Sequence, residues 1–468
     1  MSKISAMMDT GKRSLMNSQT SLQTVGHNIA NKSTEGYSRQ RVELLSNTPI
    51  GEGGLQIGMG ARAGVVTRVN NPWLEKQIQK EGMSMGYEDS RADAMGRVEQ
   101  IYNEQANKGL NQYVTDFFNS FRELSNNPES LASRTMVRES AVGMVKDFGR
   151  VTTQLRGVQE DLDGQIQTTV GEINEITKEI ASLNEKIQSV EIQKVPANDE
   201  RDRRDLLLKK LGEKIDITWA EGKDGQVSVT AGRTAILVSG NSSSELKAQQ
   251  TDVNDRMEVF FTGTGAPANI TEQITGGRIG GALDIRDHVI EDLLANADKL
   301  AYTLATEVNK AHIEGFDKNG KPGVLFFEMP DQEKGAASQL ALNKTVFNDV
   351  SRIAAAGQPD APGDNAVANV ISALQYRQVM DGGTSTMDDY YNTQVGQIGA
   401  MTQRAVKAQE SQKNVMGQLH NLRESISGVS LDEETTKMIE FQKTYDASAR
   451  LIKTADEMFD TVLNLKRL

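Results

Sequence analysis

The chain has no cysteine, 9 prolines and 5% aromatic residues in 468 positions, and no apolar run long enough to span a membrane. Each shortage excludes something. Without thiols there is no disulfide framework and no thiolate metal site. Freedom from cysteine suits a chain that crosses from a reducing to an oxidising compartment, although drift would leave the same composition. Few aromatics among long polar helical stretches favour an extended helical body over one compact ball. A net charge of −12 argues against nucleic acid, which needs a concentrated basic face. The one basic knot, Arg201, Arg203 and Arg204, is interleaved with Asp199, Glu200, Asp202 and Asp205 and reads as a solvated mixed-charge helix face. The opening residues lack the unbroken apolar stretch of a cleaved secretory signal, so none is expected.

What is present is helical periodicity, concentrated at both ends. Ile4, Met8, Gly11, Leu15, Ser18, Leu22, Val25 and Ile29 step by fours and threes, the spacing of a coiled-coil seam with small residues let in. Met438, Phe441, Tyr445, Ser448, Ile452, Ala455, Phe459 and Val462 repeat the step more than four hundred residues later. A lone amphipathic helix is marginal in water, so the two ends are expected to pair with each other or with further copies. Gly11, Ser18, Ser448 and Ala455 mark either close backbone approach or ordinary seam imperfection.

Between the ends, a Gly-bearing segment over 28–64 reads as mostly irregular with short extended pieces. Helix is expected after Pro72, and one long helix over 129–190, roughly 90 Å at 1.5 Å per residue, is expected to stop at Pro196. Its seam includes Val151, Leu155, Leu162, Ile166, Ile173, Ile180 and Ile187. Short β-rich segments at 215–219, 226–230, 234–238 and 257–262 follow a helix near 206–211. Gly276-Gly277 reads as a domain hinge. Helices are then expected over 282–312, 366–380 and 387–427, with loop prolines at 322, 330, 359 and 362. Ser430 and Glu433 have the spacing of a capping box for the last helix. The fold class is therefore mainly α with an inserted small β domain (α+β), nested and elongated, with the terminal helices paired.

Nothing in this pattern asks for an enzyme or a cofactor. His27, His288, His312 and His420 are scattered, with no partner at metal-ligand spacing. Asp317, Asn319 and Glu328 fall on calcium-loop positions, but Lys321 and Pro322 stand where the loop needs a ligand and a glycine. Asn319-Gly320 is more simply a tight turn.

The segment Val25-Gly-His-Asn-Ile-Ala-Asn-Lys-Ser-Thr-Glu-Gly-Tyr-Ser-Arg-Gln40 resembles the N-terminal signature of bacterial flagellar rod, hook and hook-associated proteins, and its Gly-Tyr-Ser-Arg-Gln ending resembles the hook-associated members. Ser427-Gly-Val-Ser-Leu-Asp-Glu-Glu434 and Phe441-Gln-Lys-Thr-Tyr-Asp-Ala-Ser-Ala-Arg450 are similar to the family's closing helix. Gly280-Gly-Ala-Leu-Asp-Ile-Arg-Asp287, Val308 to Asp317 and Val379 to Thr386 extend the likeness inward. Glu35 and Asn70-Asn71 depart from the common pattern, and the likeness thins over 220–274.

The resemblance implies a structural protein of the hook-filament junction, outside the cell, exported through the flagellar type III channel without a cleaved signal. It implies self-assembly into a ring or tube, contacts with hook protein and the next hook-associated protein, and an export chaperone on the C-terminal helix. It also implies an inner tube from 1–40 plus 428–468, a long-helix body from 41–200 plus 278–427, and an outer β-rich domain at 201–277. The expected assembly interface is Ile4, Met8, Leu15, Leu22, Val25 and Ile29 against Met438, Phe441, Tyr445, Ile452, Phe459 and Val462. Asn28, Asn31, Gly36 and Tyr37 form the helix end and turn beside it, with Tyr37 as a packing anchor. Another axial protein, or a secreted adhesin or glycan-acting protein working through the β insertion, is the alternative.

Overall fold

The computed structural model describes residues 2–52, 55–103, 108–251, 256–263, 265–328 and 331–465; Gly53, Gly54 and Pro330, placed in loops by sequence, lie outside these. Helix α1 (Ser2–Ala30) leads into β1 (Gln40–Ser46), a hairpin of β2 (Ile50–Glu52) and β3 (Leu55–Ile57), and β4 (Ala61–Arg68). Then come α2 (Pro72–Ile101), α3 (Leu110–Asn126), the 61-residue α4 (Leu131–Glu191) and α5 (Asn198–Lys214). The β region holds β5 (Ile217–Glu221), β6 (Val227–Ala231), β7 (Ala235–Ser239), β8 (Ser242–Ser243), β9 (Glu245–Thr251), β10 (Arg256–Thr262) and β11 (Ala268–Asn269). Next are α6 (Gly277–Asp284), α7 (Ile290–Ile313), β12 (Phe327–Glu328), α8 (Ala336–Gln339), β13 (Ala341–Leu342), α9 (Lys344–Asn348), α10 (Ala366–Ala373), α11 (Met387–Ser427) and α12 (Leu431–Leu465). Among the described residues no helix is long and apolar enough to cross a membrane.

The chain divides into two compact units, 1–86 with 169–277 and 411–468, and 87–168 with 278–410. In the first, α1 packs on α12 and on the antiparallel pair β1/β4, whose register shifts between Val42 and Leu44. The short extended pieces expected in this mostly irregular segment, Arg41-Val-Glu-Leu-Leu and Ala63 to Val69, therefore fall on the two strands, paired antiparallel across a bulge. Asn71 caps α2, its Oδ1 accepting from Trp73 N at 3.1 Å, and Pro72 takes the first helical position, where its missing N–H costs nothing. Gly86 is required where α2 passes α5, because a Cβ there would lie 1.9 Å from Glu213 O. Helix α5 begins at Asn198, earlier than its apolar residues indicated.

The β region forms a four-stranded antiparallel sheet, β5-β6-β7-β8, and a three-stranded one, β11-β10-β9. Strand β9, Glu-Leu-Lys-Ala-Gln-Gln-Thr, was not anticipated, because it carries too few apolar residues to show alternation. Asn184 of α4 ties that helix to β6, donating to Val227 O at 2.8 Å and accepting from Val227 N at 3.1 Å. The charges of α5 are only partly a solvated face: Asp199 and Arg203 are exposed, but Arg204 and Asp202 are buried, and Arg204 donates to Gly225 O at 2.6 Å. Pairing with Glu221, and of Asp202 with Arg68 at 2.9 Å, offsets the cost of desolvating them.

The second unit centres on Phe117, Phe121, Phe326 and Phe327, with the Phe326 and Phe327 rings 4.8 Å apart edge to face. The helix expected over 282–312 is interrupted by a π-turn at Ile285–Val289, where Gln159 Nε2 donates to Arg286 O at 3.0 Å. The helix expected over 366–380 stops at Ala373, continuing as a short 3₁₀ turn over Leu374–Tyr376. Asp317 is no calcium ligand here. Its Oδ1 accepts from Asn319 N and Lys321 N, each at 2.8 Å, its other oxygen pairs with Arg352, and Gly320 turns with φ +73°. His312 is fully buried, with Nδ1 2.6 Å from Val324 O and Nε2 accepting from Ala354 N at 2.8 Å. Burial pushes its pKa down to about 4, with Arg134 and Arg352 acting in the same direction and the Val324 hydrogen bond opposing.

Candidate assembly site

Helices α1 and α12 pack along the seam that both sequences announced, and small residues set their separation. A Cβ on Gly11 would meet Ile452 Cγ1 at 2.8 Å and Leu451 Cδ2 at 3.5 Å. One turn on, Ser448 Oγ lies 2.7 Å from Ser14 Oγ. Gly11, Ser18, Ser448 and Ala455 are all buried, and at Gly11 and Ser448 the two helices approach closely. Of the expected interface residues, Val25 is buried, and Ile4, Met8, Leu15, Leu22, Ile29, Met438, Phe441, Ile452 and Phe459 are half-buried. Tyr445 and Val462 are exposed at 37% and 38%, at the margin of the seam.

In the last turn of α1 the seam gives way to a buried polar knot around Asn28. Its amide nitrogen donates to Gln40 O and to Glu434 Oε2 of α12, both at 2.9 Å. Its oxygen accepts from Tyr37 OH at 2.8 Å and from Gln40 N at 2.9 Å. Asn28 thus has its full hydrogen-bonding capacity used, as burial demands. Asn31 lies at the mouth of the turn, bonded through Nδ2 to His27 O at 3.0 Å. Gly36 adopts φ +82° with Leu206 packed against it, a conformation that favours glycine. Tyr37 is buried edge-on to His27, and its hydroxyl pKa is raised by burial and then by Asp199, Asp202 and Glu434.

The partners of several members of this knot cannot be read from the sequence. Glu434 is completely buried on α12 and is also paired with Lys437 at 2.8 Å. Arg39 reaches Glu433 at 2.6 Å, and its backbone N–H donates to Ser427 O at 2.8 Å. The Glu433 carboxylate is thus turned toward Arg39, while its N–H and the Ser430 hydroxyl, 3.5 Å apart, form one half of the capping box. Arg423 of α11 donates to Gly36 O at 2.9 Å and pairs with Glu75 at 3.0 Å. Burial opposes ionisation of Glu75, but Lys209 and Arg423 hold its pKa below the usual carboxylate range. The turn that ends α1 is therefore clamped from α5, α11 and α12 together.

Residues 95–327 match the family model of the flagellar hook-associated protein FlgK helical domain, and residues 423–465 match the C-terminal model of flagellar basal body rod FlgEFG proteins. A Bacillus subtilis protein named flagellar hook-associated protein 1 is 28% identical over 98% of this chain and 97% of its own length. The chain belongs to the FlgK family.

An Escherichia coli protein of the same name is 24% identical over 99% of this chain and its own full length. The solved structure of the flagellar hook junction protein FlgK from Burkholderia pseudomallei superposes with a TM-score of 0.70 at 15% identity, covering 75% of this chain and all of that one, which shows a shared fold. The FlgK helical-domain match begins in α2 and ends at β12, whereas the polar knot is built from 28–40 and 434, outside it. The rod-type C-terminal match covers α12 and the Arg423 end of α11. Among the described residues no group of His, Cys, Asp and Glu could hold a metal ion.

Proposed function

We propose that this chain is a structural subunit of the bacterial flagellum at the hook-filament junction, polymerising through α1 and α12. The observation that carries the assembly reading is the close approach of Gly11 to Ile452, continued by the Asn28 to Glu434 bond. It joins the first and last helices into one rod that exposes much of α12 on its other side. The pair then forms the inner tube of the assembly. Export by the flagellar type III system without a cleaved signal, contacts with hook protein and the next hook-associated protein, and a chaperone seated on α12 complete the reading.

Because each terminal stripe is exposed without its partner, both helices fold on assembly. Amide exchange on the free monomer measures this: rapid exchange over 4–29 is expected, and strong protection there before assembly contradicts it. Electron microscopy of a strain lacking the gene tests the position in the flagellum. Hooks without filaments are expected, restored by the intact gene, and normal filaments in the deletion strain overturn the reading.

A further inference from the structure

A groove of about 350 Å³ lies where α1, β1 and α12 meet, with Val25, Val42, Leu44, Val69 and Phe441 among its lining residues. Leu44 is 53% exposed, so its apolar wall faces solvent. Three cations also line it. Arg39 and Lys437 are compensated by Glu433 and Glu434, but the Arg41 side chain is 69% exposed and the carboxylate of Glu43 stands 3.8 Å from it. The far end of α12 has the opposite character. Met458, Val462 and Leu463 are exposed among exposed Asp456, Glu457 and Asp460.

We infer that this groove receives the last turns of α12, around 456–463, from a second copy of the chain. The argument is charge and shape complementarity between two ends of one helix pair: an apolar groove with an undercompensated cation, and apolar side chains ringed by carboxylates. About 32 Å of helix separates Phe441 from Val462, so the two surfaces do not meet within one chain. A contact of this kind is heterologous, and heterologous contacts propagate into rings or open helical tubes instead of stopping at a dimer. The inference rests on the assembly reading above and names the partner surface within it.

Disulfide trapping tests it directly, because the natural chain has no cysteine. In flagella from cells whose only copy carries Leu44→Cys and Val462→Cys, oxidation is expected to give a ladder of dimers and higher multimers, with either single variant remaining monomeric. Filaments present with only monomers overturn the inference while leaving the proposed function standing, as does an adduct with a different protein. Absence of the protein from the flagellum overturns both. Charge exchange gives an independent readout: Arg41→Glu or Asp460→Arg alone is expected to reduce filament-bearing cells at least tenfold, and the two together to restore them. Single variants without effect, or a pair without recovery, contradict the contact.

Discussion

Gly11 and Ile452 lie so close that one added carbon would bring them to 2.8 Å, tighter than carbon atoms pack. The β-branched Ile452 has few rotamers with which to retreat. Replacing Gly11 with Val is therefore expected to separate α1 from α12, at about 1–3 kcal/mol for overpacking. Adding Ile452→Ala removes the obstructing carbon, so counts of filament-bearing cells for both single variants and the double variant should show partial recovery in the pair. Strictly additive losses would mean the two residues do not press on one another.

Glycines inside helices offer an internal control. Gly86→Ala places a Cβ 1.9 Å from Glu213 O, a backbone atom that cannot step aside, whereas Gly164→Ala on α4 meets nothing within 4 Å. Helix propensity alone favours alanine by about 1 kcal/mol at both sites. Urea unfolding is expected to show Gly164→Ala equal to or more stable than the natural chain, and Gly86→Ala clearly less stable.

Asn28 is the centre of the polar knot, and its removal strands several groups at once. Asn28→Ala strands Tyr37 OH, Gln40 N and the Oε2 atom of Glu434, whose other oxygen keeps Lys437, each lost bond worth about 1–3 kcal/mol. Glu434→Gln keeps an oxygen to accept from Asn28 and is expected to cost less. Counts of filament-bearing cells for the two variants, with circular dichroism confirming that each purified chain keeps its β strands, rank the two. Equal losses would show that the carboxylate charge, and not the hydrogen bond, holds α12 in register.

His312 gives the second unit a defined acid sensitivity. Its folded pKa of about 4 lies below the ordinary value of 6.5, so between these values the unfolded chain binds the extra proton. The neutral form's contribution is complete above pH 6.5 and falls as the pH drops toward 4, by about 3 kcal/mol in all. His312→Gln is expected to lower stability at pH 7 yet flatten that part of the pH profile. Thermal melts of both proteins between pH 4 and 7 check this; parallel profiles contradict it.

How much of this was legible in the sequence depends on the distance between partners. The terminal seams and the α4 seam announce themselves because periodicity is local, and Leu155, Ile173, Ile180 and Ile187 are all buried as their spacing requires. Gly11 and Ser448 could be noticed but not interpreted, since small residues in a seam mean close approach only if the facing residue is known. Glu434 and Arg423 were unreadable: their partners lie 406 and 387 positions away, and an isolated acid or base on a helix looks like any other. The same limit hid the buried charges of α5, where composition indicated solvent but Arg68, Glu191 and Glu221 supply counter-charges.

The central claim is that the α1/α12 pair is what builds the junction, and Phe441→Asp combined with Ile452→Asp on one chain tests it most directly. Both side chains are half-buried on α12, and unpaired carboxylates there are costly. Electron microscopy of cells carrying only this variant, with circular dichroism confirming that the purified chain keeps its β strands, is expected to show hooks that end bare. Filaments of normal number and length from that strain would contradict the account.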